Sequence, residues 1–153
     1  MEIRRFGPGH RRPDGPPGTQ GVSGQVIHRD DNSLVSELAF QRFALITPHS
    51  NPNTTLFVVI SGGGYVQVGD ERARVNHGEA VVWPAGVLHG AYTDGTEMRA
   101  IVIELAGEAA RLVLEGSAAE VAGGQASPTR AHGSLAERQV LRDDYDSSEG
   151  EPW

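Results

Sequence analysis

Short β-favouring runs separated by turn residues dominate the middle of the chain. From about residue 25 the sequence reads QVIH, SELAFQRFALI, TLFVVIS, YVQVGDERARV, AVVW, VLHGAYT and MRAIVIEL. Glycine, asparagine, aspartate or proline stands between the runs, which recur roughly every 8 to 12 residues. This spacing is typical of an all-β sandwich or barrel, whereas a parallel sheet would require helical segments between the strands. The pattern therefore predicts an all-β domain.

Two turns in this region can be located from their residues. The tetrad VGDE at 68–71 predicts a tight hairpin, because Gly69 and Asp70 can adopt the positive φ that a primed turn requires. Asn76, His77 and Gly78 predict the next turn. Both support a meander of antiparallel strands.

The ends of the chain differ from its middle. Proline and glycine recur up to Gly24, which predicts a flexible Gly/Pro-rich arm over residues 1–24. Residues 25–116 are the predicted barrel, with a short helix over 108–115 that Gly116 ends. Residues 117–153 are polar and predict a largely disordered or peripherally helical tail, in which LAERQVLRDDY at 135–145 has helical periodicity. A chain of 153 residues is long enough for one ordinary domain.

Charge and composition restrict the class of partner. The chain has 13 Lys plus Arg against 20 Asp plus Glu, a formal net charge of −7. Such a surface repels phosphate backbones and anionic lipid, so nucleic acid and membrane are not expected as partners. There is no cysteine, no apolar run long enough for a membrane span and no apolar core of a signal peptide. A soluble cytoplasmic protein is the expectation.

The segment that begins at Gly78 resembles the second conserved motif of the cupin family. That motif reads G, five residues, P-x-G, two residues, H, three residues, N. Gly78, Pro84, Gly86 and His89 match it, and Thr93 stands at the position of the Asn. The resemblance implies a single-domain jelly-roll β-barrel with flexible N- and C-terminal arms.

The segment that ends at Gly62 resembles the first cupin motif, in which H-x-H, a Glu and a Gly follow one another. Anchored at Gly62, the alignment places His49 at the first His, Asn51 at the second and Thr55 at the Glu. A shift of one step in the loop would make His49 the second His and Thr47 the first. Either alignment leaves two histidines, one from each motif.

Strand alternation, combined with the family likeness, predicts which side chains share the cavity of the barrel. Thr47, Leu45 and Phe43 would lie on the same face as His49, and Ala91 and Thr93 on the face of His89. The expected substrate-binding residues are Asn51, Thr55, Phe57, Phe43, Thr93 and Trp83. Family resemblance also implies a homodimer formed through an edge strand or the N-terminal arm.

His49 and His89 are the expected catalytic residues. In a low-dielectric pocket the charged form of an imidazole is disfavoured, and a neighbouring imidazole opposes double protonation. A neutral histidine is a general base at pH 7. The pair therefore favours metal-independent isomerisation, cyclisation or dehydration of a small organic metabolite, with no cofactor, over dioxygenase chemistry.

Two alternatives to this chemistry remain open. In the cupin family three His and one Glu hold Fe, Mn, Ni, Zn or Cu, so a metal-dependent oxygenase could use His49 and His89 with Glu104, Glu37 or His28 as a further ligand. The other alternative is a ligand-binding or sensor module that has no catalytic activity.

Overall fold

The computed structural model describes residues 1–107 and residue 110, and within them it shows eight β-strands. All strand pairs are antiparallel. The strands are β1 (Arg12–Pro13), β2 (Gln20–Arg29), β3 (Ser33–His49), β4 (Thr54–Val68), β5 (Glu71–Asn76), β6 (Ala80–Trp83), β7 (His89–Tyr92) and β8 (Met98–Leu105). The all-β prediction is confirmed.

The strands close into a jelly-roll barrel because β3 and β4 are long enough to belong to both of its halves. In one half the neighbours run β1, β2, β3, β8, β4 and β6. In the other half the C-terminal ends of β3 and β4 flank β7, and β5 pairs with β4. The strand β7 therefore brings the second predicted motif between the two long strands.

Each long strand has an unusual backbone conformation where it passes from one half to the other. In β3, Phe43 has a φ of 59°, which is rare for a residue other than glycine. In β4, Gly62 has a φ of 69°, and a Cβ there would lie 2.0 Å from the carbonyl oxygen of Glu97. Only glycine fits this close approach.

The core fills the space between the two halves with one hydrophobic cluster. Phe40 and Phe57 meet edge to face, with ring centroids 6.0 Å apart. The buried cluster consists of Val22, Phe40, Ala44, Ile46, Phe57, Val59, Val66, Val75, Trp83, Ala91, Met98, Ala100 and Val102. These side chains come from β2 to β8, so the core holds all the long strands together.

The N-terminal segment lies against the barrel. Gln25 donates a hydrogen bond to the carbonyl of Arg5 (2.8 Å), and Arg4 donates one to the carbonyl of Ile27 (2.9 Å). The strand β1 then pairs with β2. The structure begins β2 at Gln20, inside the segment expected as a flexible arm, and pairs this residue with Leu45 of β3.

A buried ion pair anchors this segment. The carboxylate of Glu37 is fully buried and accepts two hydrogen bonds from Arg11 (2.8 and 3.0 Å) and two from Arg99 of β8 (2.5 and 2.9 Å). Burial alone would raise the pKa of Glu37, but the two guanidinium groups outweigh it and hold the pKa below its ordinary value.

The expected helices over 108–115 and 135–145 and the tail over 117–153 lie outside the described residues, apart from residue 110. In the part of the chain that the structure describes, no helix has the length and apolar character that a membrane crossing requires.

Candidate functional site

His49 and His89 face each other across two neighbouring strands. His49 is the last residue of β3 and His89 the first of β7, and the two are direct partners in the antiparallel ladder. Their ring centroids lie 4.6 Å apart, with 63° between the ring planes. The structure therefore brings together the two imidazoles that the motifs predicted.

A β-bulge just before His49 turns this side chain inward. Ile46 pairs with Ala91 and His49 with His89, so three steps along β3 correspond to two along β7. The extra residue reverses the inward–outward alternation, so that His49 and Ile46 face the same cavity. Across from the bulge, a Cβ at Gly90 would lie 2.9 Å from the carbonyl oxygen of Ile46, so glycine lets the strands approach.

Backbone hydrogen bonds fix the same tautomer in both rings. His49 Nδ1 lies 3.0 Å from the carbonyl oxygen of Thr47, and His89 Nδ1 lies 2.9 Å from that of Val87. A carbonyl oxygen only accepts, so each Nδ1 carries the proton. In the neutral rings each Nε2 keeps its lone pair and is the nitrogen available to a ligand.

His89 is held deep in an aromatic stack. It is 1% exposed, and its ring lies 4.5 Å from that of Trp83 with 17° between the planes. Trp83 also stacks with Phe57, at 4.8 Å. Desolvation lowers the pKa of His89, and the charge of a protonated His49 lowers it further, although the bond to Val87 opposes both. His89 is therefore neutral at pH 7.

Asn51 and Thr55 lie beside the histidines and are linked to each other. Asn51 donates a hydrogen bond to Thr55 Oγ1 (3.3 Å), and its own Oδ1 accepts one from the backbone N–H of Asn53 (2.8 Å). The carbonyl of Asn51 accepts from the N–H of Gly86, which ties this turn to the one before His89. Thr55 is 2% exposed and keeps its hydroxyl proton for a second partner.

These side chains share one cavity of about 220 Å³. Five of its sixteen lining residues are aliphatic, and Asp14, Arg29 and Glu104 are the charged ones. The lining residues are Asp14, Gly15, Pro16, Val26, Arg29, Leu34, Ser36, Leu38, Ile46, His49, Asn51, Thr55, Trp83, His89, Val102 and Glu104. A second groove, of about 410 Å³ between the N-terminal segment and β2, contains no histidine.

Three of the expected substrate-binding residues lie elsewhere. Phe43 is 71% exposed, because the irregular stretch of β3 in which it lies reverses the alternation that would have turned it inward. Phe57 is fully buried in the aromatic stack beneath the cavity. Thr93 is buried, but it donates to the carbonyl of Gln41 and accepts from the N–H of Ala44, so it fastens β3 instead of facing the cavity. Asn51, Thr55 and Trp83 do line the cavity.

Of the candidate metal ligands, too, some line the cavity and others lie elsewhere. Glu104 lines the cavity with the two histidines. Glu37 is engaged by Arg11 and Arg99, and His28 is bonded to Arg4 and Asp30. Among the described residues no three His, Cys, Asp or Glu side chains lie close enough together to hold a metal ion. The donors do not fit the set of three His and one Glu.

Sequence reasoning missed one wall of the cavity. Asp14, Gly15 and Pro16, which precede β2, line it together with residues of the barrel. Gly24 makes room for them, because a Cβ there would lie 2.3 Å from the carboxylate of Asp14. The proline and glycine content of this segment suggested only a flexible arm, and no motif marked it as part of a site.

Comparison with known proteins agrees with the fold. A family model described as "Cupin domain" matches residues 41–105. This barrel is a cupin domain. No curated protein matches the chain at a significant level.

Solved cupin-like structures share the fold at low sequence identity. The polyketide cyclase RemF from Streptomyces resistomycificus is 20% identical, with a TM-score of 0.62 over 69% of this chain and 80% of its own. A predicted oxalate decarboxylase from Thermotoga maritima is 12% identical, with a TM-score of 0.62 over 68% and 98%. KdgF from a Halomonas species is 22% identical, with a TM-score of 0.53 over 60% and 88%.

Proposed function

We propose that this cupin domain is an enzyme that performs metal-independent acid/base chemistry on a small organic molecule. Isomerisation, cyclisation and dehydration are the reaction types, and His49 and His89 are the catalytic residues. The observation that carries the proposal is the cross-strand pair of imidazoles, whose Nε2 lone pairs are both left free by Nδ1 hydrogen bonds to backbone carbonyls.

His89 is the general base of the pair. Its depressed pKa keeps Nε2 unprotonated at neutral pH, which is the state that accepts a proton from a substrate carbon or hydroxyl. The resulting imidazolium can return that proton to a different atom of the substrate. His49, whose ring centroid is 4.6 Å away, can receive or supply the proton at the same site. A proton transfer of this kind needs no redox partner.

The aliphatic wall supports the proposal. An organic skeleton finds an apolar surface at Val26, Leu34, Leu38, Ile46 and Val102, and Asn51 and Thr55 supply hydrogen bonds. Among similar folds, RemF is named a polyketide cyclase, which is consistent with carbon acid chemistry in a barrel of this shape. The expected homodimer stays a prediction.

Proton exchange tests the proposal without knowledge of the substrate. A panel of small ketones and hydroxy ketones is incubated with the protein in D₂O containing EDTA, and loss of the α-proton signal is followed by NMR. Exchange should be faster with the protein than in buffer. His89→Gln and His49→Gln should each reduce the protein-catalysed rate at least about a hundredfold, the usual contribution of a general base.

His10→Gln is the matched control, because it removes an exposed imidazole outside the cavity. Equal losses of the exchange rate in all three variants would contradict the proposal. Exchange that the wild type catalyses without EDTA but not in its presence would contradict it as well. Binding of a panel member without exchange would favour a ligand-binding module instead.

A metal-dependent cupin is the second candidate, because Glu104 lines the cavity of both histidines, although the three side chains would have to move closer together to hold an ion. It requires that the purified protein contain near-stoichiometric Fe, Mn, Ni or Zn, and that Glu104→Gln lose the metal. Metal analysis of untagged protein distinguishes the two candidates.

A further inference from the structure

A row of directly paired residues crosses one sheet at the rim of the barrel. Trp83 pairs with Thr55, Thr55 with Glu104, Glu104 with Leu34, and Leu34 with Arg29. Directly paired residues project from the same face of a sheet, and all five line the cavity of the two histidines. The row therefore places a carboxylate and a guanidinium at one level of the cavity, on either side of Leu34.

The rows deeper in the barrel carry no charge. The next row on the same face consists of Phe57, Val102, Ser36 and Val26, and Leu38 follows in the row after it. Apart from the hydroxyl of Ser36, these side chains are apolar. On this sheet the cavity thus has a charged rim above an apolar wall, which suits a ligand with a charged head and an apolar body.

The two charges of the row are open to a ligand. Glu104 is half-buried and Arg29 is exposed, so both groups can be reached from the cavity mouth. Within the part of the chain that the structure describes, neither forms an ion pair or a side-chain hydrogen bond. Their backbones are two strand spacings apart, roughly 10 Å, so a small molecule can lie between the two side chains.

The balance of charge excludes a ligand of a single sign. Asp14, on the N-terminal side of the cavity, adds a second carboxylate, and its Oδ1 accepts only a backbone N–H. An adjoining groove of about 280 Å³ shares Arg29 and Glu104 with the cavity and adds Asp30 and Asp31. This excess of carboxylates repels a simple anion, while Arg29 is left without a counter-charge by a simple cation. A ligand that carries both charges satisfies both groups.

The volume limits the size of the ligand. An apolar cavity of roughly 150 Å³ binds benzene. At about 220 Å³, the cavity of this protein holds a compact aliphatic or aromatic group together with a small charged head.

We propose that the cavity binds a zwitterionic α-amino acid with an apolar side chain. Glu104 receives the ammonium group, Arg29 receives the carboxylate, and the side chain points toward the aliphatic residues below the rim. Both charges of such a molecule are attached to one carbon, from which its side chain also leaves, as the arrangement of rim and wall requires. The inference rests on the proposed function, since it takes this cavity as the substrate site, and it adds the substrate class and two residues that orient the substrate.

Three probes with one skeleton separate the two charges. L-leucine carries both, 4-methylpentanoate carries only the carboxylate, and 3-methylbutylamine carries only the ammonium group. Each is titrated into the ¹⁵N-labelled full chain, and the dissociation constant is taken from the amide shifts. EDTA is present throughout, so that chelation of a metal ion cannot account for binding of leucine. Leucine should bind at least about tenfold more tightly than either analogue, because each analogue lacks one charge-assisted contact.

Two variants assign the contacts. Glu104→Gln should weaken binding of leucine and of the amine about tenfold and should not weaken binding of the acid. Arg29→Gln should do the reverse, weakening leucine and the acid but not the amine. Arg72→Gln is the matched control, because it removes an exposed guanidinium of β5 outside the cavity, and it should leave all three affinities unchanged.

The outcomes separate this inference from the proposed function. The amino acid class is wrong if leucine binds no better than its analogues, or if Glu104→Gln weakens the acid as much as the amine. Catalysed exchange in the ketone panel would then still support acid/base catalysis. Conversely, the expected pattern of affinities in a protein that exchanges no proton of leucine or of the ketones would support the ligand class and overturn the catalytic function.

Discussion

The ion pairs that Glu37 forms with Arg11 and Arg99 should be a main source of stability for the N-terminal segment, which lies against the barrel. Glu37→Gln keeps the shape of the side chain and removes its charge. The carboxylate is fully buried and accepts four N–H bonds, so the variant leaves two guanidinium groups facing an amide. Glu71→Gln, which removes a carboxylate on an exposed part of β5, is the matched control.

The magnitude follows from the exposure of the three side chains. Removing one partner of a fully buried pair costs about 3–5 kcal/mol. Here the side chains of Arg11 and Arg99 are 16% and 41% exposed, so water partly restores their solvation when the carboxylate is lost. We therefore expect Glu37→Gln to lower the free energy of unfolding by about 2–3 kcal/mol. The control should change it by less than about 0.5 kcal/mol.

Urea denaturation followed by far-UV circular dichroism measures this difference, and its pH dependence tests the cause. The pKa of Glu37 is lowered below 4.5 by folding, so its contribution is present above that pH and disappears as the pH falls through the folded value. The difference between Glu37→Gln and the wild type should therefore shrink in acid. A loss equal to that of Glu71→Gln, or one that persists unchanged in acid, would refute the reasoning.

Two further predictions concern the backbone of β4 and the buried histidine. Gly62→Ala should lower the free energy of unfolding by at least about 2 kcal/mol, whereas Gly78→Ala should lower it by about 1 kcal/mol. Both residues have positive φ, but only the first would place its Cβ against backbone, as urea denaturation of both variants can check. The pKa of His89 is lowered from 6.5, so the unfolded chain binds more protons and stability should fall as the pH drops below that value, by at most about 1.4 kcal/mol per pH unit. His89→Gln should abolish this component, and an unchanged pH slope in that variant would contradict it.

The parts of the fold that follow from local pattern were predictable. AVVW and MRAIVIEL coincide with β6 and β8, because uninterrupted runs bounded by turns leave little freedom in where a strand begins or ends. The hairpin at 68–71 also forms, with Gly69 but not Asp70 in the positive φ region. The family resemblance predicted in addition that His49 and His89, which lie far apart in sequence, share one cavity.

What could not be predicted depends on irregular backbone and on contacts between distant segments. The bulge before His49 changes which residues of β3 share its face, so Ile46 lines the cavity and Leu45 is exposed. Strict alternation predicted the reverse. The burial of Glu37 depends on Arg11, which comes from a segment whose proline and glycine gave no sign that it would pack.

The wall formed by residues 14–16 has an evolutionary consequence. It lies outside residues 41–105, which match the family model, and yet it borders the same cavity as the histidines. One wall of the cavity thus comes from a stretch of chain outside the segment that carries both histidines. Residues 14–16 could therefore change in evolution, and reshape one side of the cavity, without a change in the segment that carries the imidazole pair.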